Sequence, residues 1–213
     1  MTEFIAPDDT YPGTLIIISS PSGAGKTSIT KKILQQNDNI SLSVSITTRK
    51  KRENEIDGKD YLFVSKEEFN NMKENNELLE YAEVFENSYG TPKKFVLDKL
   101  SSGQNVIFDI DWQGARQIVK NKEFHIVTIF ILPPSIAALK ERLNKRGADS
   151  DEIIANRMAK AKTEISHYGE YNYVILNDNF EQAVSKIQKI IDFYSLRNIK
   201  PRNYQGFVEQ ELL

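Results

Sequence analysis

Residues 20–28 read SPSGAGKTS, and how that stretch is read decides the fold. It ends in Gly25, Lys26 and Thr27, the closing positions of the phosphate-loop pattern G-x-x-x-x-G-K-[ST], but carries Ser20 where the pattern starts with glycine. Alone, it also suits an ordinary serine- and glycine-rich turn ahead of a helix. Its flanks favour the phosphate loop. Leu15–Ile18 is an apolar, mostly β-branched run of the kind buried on both faces of a parallel sheet, and Ile29, Ile33 and Leu34 follow at helical spacing. In a strand–loop–helix unit the backbone of Ser22, Gly23, Ala24, Gly25, Lys26, Thr27 and Ser28 would cradle phosphate oxygens at a helix N-terminus. Lys26 would add a point charge, and the Thr27 hydroxyl would face Mg2+.

Composition narrows the classes. A chain of 213 residues, 39% hydrophobic, has material for one sizeable core with small insertions. It contains no cysteine, which excludes disulfides and thiolate metal sites, and its two histidines, His125 and His167, are too far apart in sequence to suggest a metal cluster. The formal net charge of -2 argues against a bulk nucleic-acid binder. The N-terminus lacks a signal-peptide pattern, and no apolar run approaches the roughly 20 residues of a membrane span, so a soluble, cytoplasmic protein is expected.

Along the chain, residues 1–13 read as a polar leader and 201–213 as a tail. After the first strand, further strands are expected at Val44–Thr47, Tyr61–Val64, Tyr81–Phe85, Val106–Ile110, Ile126–Leu132 and Tyr173–Leu176. Helices are expected at Lys66–Asn75, Lys93–Ser101, Trp112–Lys120, Ser135–Lys145, Asp151–His167 and Glu181–Leu196. Ser65 with Glu68, and Asp149 with Glu152, carry the capping-box pattern. Alternating strands and helices at both ends predict a mostly parallel α/β sheet. Residues from about 40 to 90 are more polar and read as a small mixed α/β insertion, and the charged stretch at about 140–161 reads as a lid.

Three further features bear chemistry. Asp109 ends the apolar strand of VIFDID, residues 106–111, where a parallel sheet delivers a carboxylate to its C-terminal edge. There it can hold an Mg2+-bound water, or simply cap the next helix. Arg142 and Arg146 are four apart on one helical face and Arg157 lies on the next helix. They suit neutralisation of a transferring phosphoryl group, and equally a solvated ion-paired surface. RKKR, residues 49–52, is either a solvated basic loop or an anion clamp.

Taken together with SVSITTRKKRENEIDGKDY, LLEYAEVFENSYGT, FILPPS, ERLNKRGADSDEIIANRM and VILNDN, these stretches run in order over most of residues 14–180, and the chain resembles the bacterial guanylate kinases. That resemblance implies a P-loop kinase of α/β class: a mostly parallel central sheet flanked by helices, a GMP-binding insertion and a helical lid. It implies ATP and GMP or dGMP as substrates, Mg2+ with the ATP, and Lys26, Asp109, Arg142, Arg146 and Arg157 in catalysis. Thr27 and, through water, Asp109 would serve the metal. Arg49, Arg52, Tyr61 and Tyr89 would grip the acceptor phosphate, Lys50 and Lys51 remaining surface charges. The family has a proline-containing turn after the first arginine, absent here between Arg49 and Arg52. Glu80, Asp111, Ser45 and Thr91 would read guanine, with Glu55 nearby, and Asn177 falls where the family meets the adenine of ATP.

The guanine assignment has a chemical rationale. Two carboxylates match the donors at N1 and the 2-amino group, and two hydroxyls match O6. Adenine would leave both acids unpaired, a mismatch worth about 10⁴–10⁵ in discrimination. His167 is expected to be structural and Trp112 to pack against the sheet. A sugar-phosphate kinase would keep the loop and Asp109 without needing the four base-reading residues. A phosphopeptide-binding module would not need the loop and lid arginines.

Overall fold

The computed structural model describes residues 12–53, 55–84, 86–146 and 151–197. The capping box expected at Asp149, the leader before Pro12, the tail and the side chain of Arg146 lie outside the described residues.

The centre is a parallel sheet of five strands: β1 (Thr14–Ser19), β2 (Ile40–Leu42), β7 (Asn105–Asp109), β8 (His125–Leu132) and β9 (Tyr173–Leu176), in the order β2-β7-β1-β8-β9. Because successive strand side chains point to opposite faces, β1 feeds two cores. Ile16 and Ile18 join Ile29 and Ile33 of α1 (Lys26–Gln36) and Val184, Ile187 and Ile191 of α7 (Phe180–Arg197). Leu15 and Ile17 join Val96 and Leu100 of α3 (Lys93–Ser101) and Ala115 and Ile118 of α4 (Trp112–Ile118). Leu15 to Ile18 are all at 0% exposure, which explains why β1 is continuously apolar rather than alternating.

A second, mixed sheet, in the order β4-β3-β6-β5, consists of β3 (Ile46–Thr47), β4 (Leu62–Phe63), β5 (Leu78–Val84) and β6 (Asn87–Pro92), with α2 (Lys66–Glu74) beside it. Ile46, Phe69 and Leu78 form its own small core. The capping box of α2 is present: Glu68 N donates to Ser65 Oγ (3.1 Å) and Ser65 N to Glu68 Oε2 (2.7 Å). Ile40–Leu42, expected at the head of this unit, instead pairs with β7 as the edge strand of the central sheet. β6, not anticipated from its polar sequence NSYGTP, is held by antiparallel pairing with both β5 and β3.

The two helices of the charged stretch are α5 (Ile136–Arg146) and α6 (Asp151–Ser166). Leu139 and Ala161, at 0% exposure, seat them on the central core. Among the described residues, no helix is long and apolar enough to cross a membrane.

Candidate active site

Parallel pairing sets Ile18 of β1 opposite Asp109 of β7, so the loop after β1 rises beside that carboxylate at the C-terminal edge of the sheet. Residues 20–25 turn the chain into α1, whose first residue, Lys26, pairs with Asp109 Oδ1. Asp109 therefore does not cap the next helix. Asp111 takes that role, its Oδ1 accepting from Gln113 N (2.9 Å) and Gly114 N (3.1 Å).

Gly23 and Gly25 have φ of 92° and 103°, in the left-handed region. A Cβ at Gly25 would also stand 2.5 Å from Asn177 Nδ2. Positive φ among described non-glycine residues occurs only at Asn76 and Glu86, so Ser20 sits in backbone open to any residue; this is why the loop forms without its first glycine. Thr27 and Ser28 are exposed at the start of α1.

Side chains from elsewhere hold the loop. Asn177, at the end of β9 and only 4% exposed, donates from Nδ2 to the Ala24 carbonyl (2.7 Å). Arg142 donates to the carbonyls of Ala24 (3.3 Å) and Asn177 (3.0 Å). Arg157 donates to Ser22 Oγ (3.0 Å), and Ser22 N donates to Glu164 Oε2 (3.3 Å). Asn177, expected against the donor base, thus contacts the loop itself. Glu164 did not stand out in the sequence, where it lies 142 positions from Ser22 inside a charged helix.

The second sheet faces this edge with two groups of residues. In the first, Arg49 lies over the rings of Tyr61 (5.4 Å) and Phe63 (5.6 Å), and Tyr61 meets Tyr89 edge-on at 5.9 Å. Glu55 bridges the basic cluster, accepting from Arg49 Nη2 (2.7 Å) and Arg52 N (2.8 Å). The Arg49 hydrogen bond holds the Glu55 carboxyl below its usual range. Glu55 ties the two ends of the Arg49–Arg52 segment together. Arg52, Lys50 and Lys51 are exposed. Burial raises the Tyr61 phenol, and the charge of Asp109 raises it further, so these aromatic rings lie within electrostatic reach of the loop's carboxylate.

In the second group, Glu80 of β5 pairs directly with Thr91 of β6, which puts both side chains on one face. Thr91 Oγ1 donates to Glu80 Oε1 (2.7 Å). Its one proton is thus committed to the carboxylate, whereas the sequence reading directed it to guanine O6. Glu80 is 4% exposed, and a Cβ on Gly114 would stand 2.6 Å from its Oε2, so the carboxylate lies against bare backbone. Burial raises its pKa to about 7, partly offset by the Thr91 hydrogen bond and reinforced by Asp111. Asp111 and Ser45 are half-buried. Trp112, expected against the sheet, stacks instead on His167 (3.9 Å, 20°), with Arg116 over its ring at 4.6 Å. His167 Nδ1 and Arg116 meet Glu170, giving His167 the structural setting expected of it.

No three His, Cys, Asp or Glu residues among those described form a metal-binding group. Thr27 with the lone carboxylate Asp109 is a poor cage, but it suits a hard cation that arrives on nucleotide phosphates and keeps its own water.

Comparison with known proteins gives one consistent answer. The guanylate kinase family model matches residues 12–194. The chain is 49% identical to a guanylate kinase of Maricaulis maris over 92% of its own length and 90% of the relative's. It is 48% identical to one from Rickettsia prowazekii, over 90% and 97%. The crystal structure of guanylate kinase from Anaplasma phagocytophilum superposes with a TM-score of 0.73 at 35% identity, covering 95% of this chain and 97% of that one.

Proposed function

Since the chain belongs to the guanylate kinase family, we propose how its residues divide the work of ATP:GMP phosphotransfer. The protein is an enzyme, a nucleoside-monophosphate kinase that moves the γ-phosphate of ATP to GMP. The observation that carries the division is the place of Asp109, which ends β7 beside the loop and pairs with Lys26, while Glu80 and Thr91 pair across the second sheet.

The 20–28 loop takes the triphosphate, its amides and Lys26 neutralising charge. Arg49, Arg52, Tyr61 and Tyr89 take the acceptor phosphate, with Glu55 fixing Arg49. Glu80 and Asp111 accept from guanine N1 and the 2-amino group, Thr91 orients Glu80, and Ser45 faces O6. An oxygen of the GMP phosphate then attacks the γ-phosphorus while its bond to the bridging oxygen of the departing ADP breaks. Charge spreads over the transferring group, and Arg142, Arg146 and Arg157 are the cations that meet it. Asn177 fixes the loop from below. Mg2+ carried on ATP, met by Thr27 and through water by Asp109, would supply further charge neutralisation. We place the enzyme in the cytoplasm, in purine nucleotide metabolism, with dGMP as a second acceptor.

A coupled ADP-release assay offering GMP, dGMP, AMP, UMP and ribose phosphate tests this. GMP should be the preferred acceptor, with Lys26→Ala and Asp109→Asn each losing at least about 10²-fold in kcat while melting cooperatively. Near wild-type turnover in either variant would overturn its assigned role. A sugar phosphate outcompeting GMP would overturn the base-reading set, and no ADP release with any acceptor would point to a binding module.

A further inference from the structure

The phosphate loop has to present its amides in one arrangement before nucleotide arrives, and its first turn is held from outside the loop. Ala24 N donates to the Pro21 carbonyl (3.1 Å), closing a four-residue turn whose third residue, Gly23, has the positive φ that such a turn requires. The Pro21–Ser22 peptide plane is therefore the hinge of the turn: its carbonyl is fixed by Ala24 and its N–H by the Glu164 carboxylate (3.3 Å). On α6, Arg157 and Glu164 are seven residues, or two helical turns, apart and so share a face. Both reach Ser22, one through its hydroxyl and the other through its amide. The helix is anchored between them by Ala161, fully buried in the central core.

We propose that Glu164 is a positioning residue for phosphoryl transfer, holding the Pro21–Ser22 peptide from α6 so that the first turn of the phosphate loop is set before ATP binds. This deepens the reading of residues 20–28 as the triphosphate site and rests on it. The surroundings of this carboxylate pull in both directions, with burial the larger effect. Burial pushes the Glu164 carboxyl up and Asp111 adds to that, while the Ser22 amide, Lys26 and Lys160 oppose it. Without the carboxylate only the Ala24 hydrogen bond restrains the peptide and the Ser22 amide loses its partner, so part of the binding energy of ATP must order the loop rather than align the γ-phosphate.

The test compares Glu164→Ala and Glu164→Gln with wild type, measuring steady-state kinetics in ATP and GMP separately, tripolyphosphate binding by calorimetry, and thermal melting. Alanine should lower kcat/KM for ATP and weaken tripolyphosphate by about tenfold, with the KM for GMP changed less than about twofold. Glutamine, whose amide oxygen still accepts from Ser22 N, should recover most of the loss. Wild-type tripolyphosphate affinity in the alanine variant would overturn the proposal. So would a loss shared equally by ATP and GMP, or a loss that glutamine does not relieve. Lys26→Ala separates the two readings: if it leaves tripolyphosphate binding intact, the loop is not the triphosphate site, whereas Lys26-dependent binding that ignores Glu164 sinks only the positioning role.

Discussion

Glu80, the residue proposed to read the base, is a buried carboxylate that costs stability. Its carboxyl has a pKa of about 7 in the folded chain, pushed up mainly by burial, so folding takes up a proton between the usual carboxylate range and about pH 7. Stability contributed by that proton is present at low pH and lost as pH rises through about 7. Glu80→Gln should abolish this part of the slope and be more stable than wild type at pH 8, by up to about 3 kcal/mol in unfolding free energy. The same change should raise the KM for GMP about tenfold or more, because an amide offers a donor to the donors of guanine. In wild type the KM for GMP should rise as pH falls below about 7, with a weaker dependence in the variant; parallel pH profiles would show that Glu80 does not bind the base in its ionised form. At this scale the sequence was most informative at Gly25, whose backbone is left-handed, and at Lys26 and Asp109, which the fold brings together. It was blind to Glu164, since a carboxylate among the lysines of a charged helix looks like a solvated ion pair until the fold carries it to Ser22. It also assigned Thr91 to the base when the cross-strand partner Glu80 takes its proton.

Elements were legible in proportion to the strength of their local signals. α2 starts at the residue its capping box marks, since Ser65 and Glu68 satisfy end amides regardless of tertiary context. Ser65→Ala should remove about 1 kcal/mol from that helix, lowering its hydrogen-exchange protection while leaving kcat within about twofold. An unchanged exchange profile would mean that packing of Phe69, rather than the cap, sets the start of α2. The long apolar strands β1, β7 and β8 were equally plain, because burial on both faces demands continuous hydrophobicity. β6 was not: NSYGTP has turn composition, and it becomes a strand only through pairing with β3 and β5. β2 has three residues, only one of them buried, so nothing local marks it as part of the central sheet rather than of the insertion.

At the scale of the whole molecule, the architecture follows from β1 lying between β7 and β8, with the phosphate loop at one edge and the second sheet beyond it. The second sheet relies on a core of three buried residues, Ile46, Phe69 and Leu78, whereas α5 and α6 are tied to the main core through Leu139 and Ala161. Closure over bound nucleotides should therefore come chiefly from the second sheet swinging toward the loop, as water is excluded from the γ-phosphate. A bisubstrate analogue should reduce the radius of gyration in solution scattering, and equal radii with and without it would count against such motion. The split into sheets has a further consequence, for how such an enzyme changes over evolutionary time. The chain leaves the central sheet after Leu42 and comes back through α3 to β7, and β2 and β7 are paired neighbours, Ile40 opposite Asn105. Because the two strands run parallel, the chain leaves at the C-terminal end of β2 and re-enters at the N-terminal end of β7, and α3 carries it back between the two edges, so the segment before α3 forms a cassette. A different segment could be spliced between Leu42 and Lys93 without moving a strand of the sheet that bears Asp109 and leads into the 20–28 loop, so that segment can diversify while the loop and its carboxylate stay as they are.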